Sequence, residues 1–94
     1  MALDPSRTPI LHFERQTVSV LIHYLHDLGV QLRSDAIEVK SLRSRATPEE
    51  REFLDGKLFA YYEVLSLIVN QARTFQVDPA LIGLGGFDPD KELL

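Results

Sequence analysis

The sequence predicts an all-α fold, a long antiparallel helical hairpin that dimerises into a four-helix bundle. Three observations carry this. Pro5, Pro9, Pro79, Pro89, Gly83, Gly85 and Gly86 all lie outside residues 10–76, so the middle of the chain is nearly clear of residues that interrupt regular structure. Within it, apolar residues recur in two heptad rows. Between the rows, Thr47-Pro48-Glu49-Glu50 reads as a helix start. Thr47 caps, Pro48 suits the first helical position, and Glu50 stands where a capping box needs its carboxylate.

Residues 1–9 are expected as a flexible segment. The first helix then runs over about 10–45, with Leu11, Val18, Leu25, Leu32, Val39 and Ala46 at steps of seven and Leu21, Leu28 and Leu42 interleaved. Gly29 could end it, since Gly is favoured just past a helix C-terminus. The row keeps its phase from Leu25 to Leu32, which favours one long helix with a soft point over two helices split at Gly29 and Val30. The second helix covers about 48–76, with Leu54, Leu58, Tyr61, Leu65, Ile68, Ala72 and Phe75 at alternating steps of four and three.

A turn at residues 45–47 makes facing residues sum to about 93. Leu25 then faces Ile68, Leu28 faces Leu65, Leu32 faces Tyr61, Val39 faces Leu54, Leu21 faces Ala72 and Val18 faces Phe75. The mismatch is Asp35 opposite Leu58, where Ala36 can substitute. Such a hairpin buries one stripe per helix, yet Phe53, Ala60, Val64 and Leu67, with Tyr62 and Val69, lie off the seam. So does the small-residue row Ile22, Gly29 and Ala36. From Leu58 to Ala72 the only charged residue is Glu63, the profile of a helix enclosed on more than one side. A second copy is the economical cover, and the tail, residues 77–94, is the competing one. The expected core and dimer interface therefore comprises Leu25, Leu28, Leu32, Tyr61, Leu65, Ile68 and Ala72 together with Phe53, Val64 and Leu67.

After Phe75, Asp78-Pro79 repeats the cap-plus-proline signal and predicts a single turn ended by Gly83. The last eight residues hold three acidic side chains against one basic and are expected as a flexible acidic tail.

Composition excludes several function classes. Ninety-four residues, 45 % hydrophobic, describe one domain. Zero cysteines exclude a disulfide framework, a Cys-based zinc site and a thiol nucleophile. Ten basic residues against 14 acidic give a net charge of −4, the wrong sign for a nucleic-acid binder. The most apolar stretch, residues 58–72, is 15 residues long, short of the roughly 20 that span a bilayer. The start of the chain lacks the basic and apolar regions of a secretory signal, so a cytoplasmic location is expected.

Candidate chemistry is sparse. His23 and His26 have the i, i+3 spacing that puts two imidazoles on one helix face, the weak case for a metal site. His12 lies eleven residues from His23, about 16 Å along a helix, too far to join. Ser19, His23 and Asp27, four apart, align a hydroxyl, an imidazole and a carboxylate. A mid-helix ridge offers no oxyanion donors, however, and an i, i+4 pair of His23 with Asp27 is the plainer reading. Glu63, flanked by Tyr61 and Tyr62, falls in an outward row with Ser66, Asn70 and Arg73. Phe59 is an outward aromatic, a candidate contact for a partner or the folded-back tail.

The basic residues at the hairpin tip, Lys40, Arg43, Arg45, Arg51 and Lys57, are balanced by five acidic ones within residues 38–57. The stretch from Gly83 to Gly86 lacks the ending of a phosphate loop. Asp88, Asp90 and Glu92 lack the rest of a calcium loop. No cofactor and no catalytic activity are expected. The function expected is a small intracellular protein–protein interaction or regulatory module acting through self-association, with an unidentified protein as a further partner. The alternative is a bundle binding a small ligand near Tyr61, Tyr62 and Glu63, or a metal at His23 and His26.

Overall fold

The computed structural model describes residues 9–94, with side chains from Glu14 onward. Helix α1 spans Pro9–Arg43, α2 spans Pro48–Thr74, a 3₁₀ turn covers Pro79–Ile82 and a short α3 covers Pro89–Leu93. No strand occurs among the described residues. The expected flexible segment, apart from Pro9, and the side chains of Leu11 and His12 lie outside the described residues.

Helix α1 runs through Gly29 without a break. It ends two residues before the expected boundary, in a turn closed by the Arg45 amide on the Leu42 carbonyl and the Ala46 amide on the Arg43 carbonyl. Helix α2 starts as the sequence indicates. The Thr47 hydroxyl accepts from the Glu50 amide at 3.3 Å, and the Glu50 carboxylate accepts from the Thr47 amide at 3.4 Å. Glu49 and Glu50 in its first turn, with Lys40 and Arg43 in the last turn of α1, oppose the helix dipoles favourably. Arg43 also pairs with Asp55 across the hairpin.

Helix α2 ends early because Gln76 turns left-handed, at φ 57°. Its amide bonds the Arg73 carbonyl and the Val77 amide bonds the Ala72 carbonyl at 2.7 Å, a Schellman closure. The reversal sends the chain back along the hairpin.

Residues 77–94 are packed, in place of the loose acidic tail expected from their charge. Leu84, Phe87 and Leu93 are buried in one cluster with Ala36, Val39, Leu58, Leu65 and Val69. The tail therefore supplies the cover that the competing reading assigned to it. Its polar groups are tied down. The Asp78 carboxylate caps the Ala80 amide, the Asp88 carboxylate caps the Asp90 and Lys91 amides, and Glu92 accepts from the Asp88 amide. Arg33 donates to the Gly85 carbonyl at 3.1 Å, pairs with Glu92 at 3.5 Å and lies 5.0 Å over the Phe87 ring. Lys40 donates to the Glu92 carbonyl at 2.8 Å.

The tail reaches α1 by direct backbone contact. A Cβ on Gly29 would lie 1.7 Å from the Ile82 carbonyl oxygen, and one on Gly83 would lie 2.3 Å from the His26 carbonyl oxygen. Gly83 also needs its left-handed φ of 76° to end the 3₁₀ turn. Two glycines thus let two backbones touch where any side chain would hold them apart.

The molecule measures 72 × 20 × 18 Å, with a radius of gyration of 18.7 Å. A compact domain of this length has about 12 Å. Helix α1, 35 residues and about 52 Å long, supplies much of this length, and its residues 14–28 are all exposed.

Candidate functional site

The hairpin seam closes at one end and opens at the other. Toward the tip, Ala36, Val39 and Leu58 are buried and Leu54 packs against them. At the far end the expected pairs Val18–Phe75 and Leu21–Ala72 do not close: Val18, Leu21 and Phe75 are exposed, and only Ala72 is buried. The reason is geometric. The chain leaves α2 after Thr74, and Ile82 lies against Gly29, so α1 runs on without a helix beside it.

This opening forms an apolar groove of about 550 Å³. Leu25, Leu28, Gly29 and Leu32 of α1 make one wall, and Leu67, Ile68, Gln71 and Ala72 of α2 make the other. Phe75, Val77 and Ile82 complete it. Gln71 is the only polar side chain in this lining. Nothing in the groove can ionise, so it offers a surface for burial and no acid, base or nucleophile.

The groove gathers six residues of the expected interface, namely Leu25, Leu28, Leu32, Leu67, Ile68 and Ala72. Leu65 is fully buried in the core cluster, and Tyr61 packs half-buried against it. Val64 is exposed outside the groove, and Phe53, 71 % exposed, lies by the hairpin tip in a separate depression of about 640 Å³ with Leu42 and Leu54. Sequence reasoning did not anticipate Val77 and Ile82. The signals for them were Asp78-Pro79, which starts the turn, and Gly29, the only glycine in α1.

The residues of the expected ligand site are dispersed. Tyr62 lines a small polar cleft of about 220 Å³ with Ser66, Asn70, Arg73, Asp88 and Asp90, which includes neither Tyr61 nor Glu63. Glu63 is exposed. The Tyr62 hydroxyl donates to the Asp90 carboxylate at 2.5 Å. That bond, with some desolvation and the Asp90 charge, holds the hydroxyl above its ordinary pKa. Tyr62 thus fastens the tail to α2. Phe59 lies with its ring centroid 6.1 Å from that of Tyr62.

Asp27 has His26 as its imidazole neighbour, at 3.8 Å, instead of the expected His23. Ser19, His23 and Asp27 are all exposed on α1, and none of them is among the residues lining the apolar groove. Among the described residues no three His, Cys, Asp or Glu side chains gather to hold a metal ion, which leaves His23 and His26 without a third ligand. No helix among them is long and apolar enough to cross a membrane. No family model, curated protein or solved structure matches the chain.

Proposed function

We propose that this chain is a small helical interaction module that works by self-association at the open end of its hairpin. The observation that carries this is a groove with an almost wholly apolar lining, continued without interruption by the apolar stripe on residues 18–28 of α1. Monomeric proteins seldom leave so continuous an apolar surface in water, because each buried Val, Leu or Phe is worth about 1.5–3 kcal/mol. The tail already covers one face of the hairpin, so the pairing surface is this end of it and not a stripe along its whole length.

Sedimentation equilibrium tests the reading. The expected mass is twice the 10.7 kDa chain mass. Leu21→Asp, at an exposed position, yields a folded monomer with unchanged helical circular dichroism. A wild-type chain that stays monomeric up to about 100 µM, well above the micromolar Kd at the weak end of standard-size interfaces, overturns the proposal.

A further inference from the structure

We propose that the occupant of the groove is residues 14–28 of α1 from a second copy, lying antiparallel to its counterpart in a register where facing residue numbers sum to 46. The inference rests on the self-association reading and gives it a specific geometry. Val18 and Leu25 occupy one heptad row of α1, and Leu21 and Leu28 the interleaved one. Antiparallel helices set one row against the other. A sum of 46 therefore stacks Val18 on the partner's Leu28 and Leu21 on the partner's Leu25. All four are exposed in the isolated chain, so every layer buries surface that is now wet.

Neighbouring registers are worse. One heptad further, at a sum of 53, Leu25 still meets Leu28 and Asp35 meets Val18 at the rim, but Leu21 meets Leu32, which is already half-covered within its own chain, so less wet surface is buried. One heptad back, at a sum of 39, Glu14 is set against Leu25. An unpaired carboxylate in an apolar layer is strongly unfavourable. At 46, Glu14 faces Leu32 at the rim. Ile22 and Tyr24 then flank the two-fold axis, both apolar and both exposed, which widens the contact at its centre.

The area suits a second copy. Val18, Leu21, Ile22, Tyr24, Leu25, Leu28, Leu67 and Phe75 are between 39 % and 74 % exposed. Applied to fully exposed areas of about 150–230 Å² per residue, these fractions amount to roughly 800 Å², one partner's share of a standard stable interface. Stripe and groove are both on the same chain, so a two-fold axis satisfies both copies at once and closes the assembly at two.

Cysteine cross-linking tests the register, because the chain has no cysteine of its own. Val18→Cys and Leu28→Cys proteins are oxidised separately and as a mixture. A disulfide needs Cα atoms within about 7 Å, and the register separates each cysteine from its own symmetry mate by about 15 Å along the axis. The mixture is expected to give about tenfold more covalent dimer than either protein alone.

Efficient cross-linking of Val18→Cys by itself means a parallel or shifted pairing and overturns the inference. So does a wild-type dimer whose mixture stays uncross-linked. A second pair of variants covers the event that cysteine weakens the contact. Leu21→Asp is expected to raise the dimer Kd about 100-fold or more, while Val64→Asp, on α2 outside the groove, leaves it within about threefold. The reverse pattern refutes this geometry yet leaves self-association standing, whereas a monomeric wild type removes both.

Discussion

Replacing Gly29 with alanine is the sharpest probe of how the tail is held. In the interior of an exposed helix, Gly→Ala favours folding by about 0.5–1 kcal/mol. At Gly29 the new Cβ would lie 1.7 Å from the Ile82 carbonyl oxygen and 2.9 Å from its carbon, where ordinary contact begins at 3.4 Å. The 3₁₀ turn must therefore retreat by 1.7 Å, the difference between 3.4 and 1.7. It carries Leu84, which has no exposed surface, and Phe87, which is 4 % exposed. Full exposure of such side chains would forfeit about 1.5–3 kcal/mol each.

Loss of about half of both, less the helix gain, gives a net destabilisation of about 1–2 kcal/mol, or a fall in Tm of roughly 4–16 °C for a domain of this size. Gly56 is the internal control. It lies in α2, and a methyl group added there would have nothing within 4 Å, so Gly56→Ala should raise stability by about 0.5–1 kcal/mol. Thermal unfolding by circular dichroism, with hydrogen exchange across residues 84–93, reads both variants. A Gly29→Ala protein as stable as wild type, with those amides equally protected, refutes the backbone contact as the tail's anchor.

Three further outcomes are expected. Arg33→Ala removes the Gly85 hydrogen bond, the Glu92 pair and the contact with Phe87, and should cost about 1–2 kcal/mol. Urea denaturation would show this as a lower midpoint at unchanged m, with Arg33→Lys recovering little because it lacks the planar fork. Tyr62 keeps its proton more tightly in the folded chain, so its contribution is whole below the unfolded-state pKa of about 10 and is lost as pH rises through the higher folded value. Above pH 10 wild-type stability should fall more steeply than that of Tyr62→Phe, and parallel pH profiles would show that the Asp90 bond does not govern this titration. Leu65→Asp places a charge at a position with no exposed surface. It should abolish the helical signal at room temperature, since several kcal/mol is most of a small domain's stability, and a cooperative thermal transition in that variant would contradict the core assignment.

The two long helices were legible because their signals are local or periodic. The capping box at Thr47 involves residues three apart, and the heptad rows repeat the same demand for burial every two turns. The continuity of α1 through Gly29 was likewise written in the unbroken phase of its row. The packing of the tail was not legible, for a related reason. Charge is a property of each residue alone, and Asp88, Asp90 and Glu92 read as a solvated run. Their carboxylates instead cap amides and meet Tyr62 and Arg33. The pattern Asp88-Pro89, a repeat of Asp78-Pro79, was the sign of order there.

Composition, periodicity and caps were thus enough to indicate an all-helical chain with two long helices packed together, although Val18, Leu21, Leu25, Leu28 and Phe75 of the expected stripes are exposed. They acted over one to seven residues, where backbone geometry alone fixes which side chains share a face. Which part of that stripe lies covered was decided only by the tertiary structure. The left-handed turn at Gln76 and the touching backbones at Gly29 and Gly83 place the tail against Ala36, Val39, Leu58 and Leu65. Burial is a property of surfaces meeting across dozens of residues, so the groove at Leu25 and Leu28 lies where the chain leaves α2 and turns back, with Val77 and Ile82 in its lining.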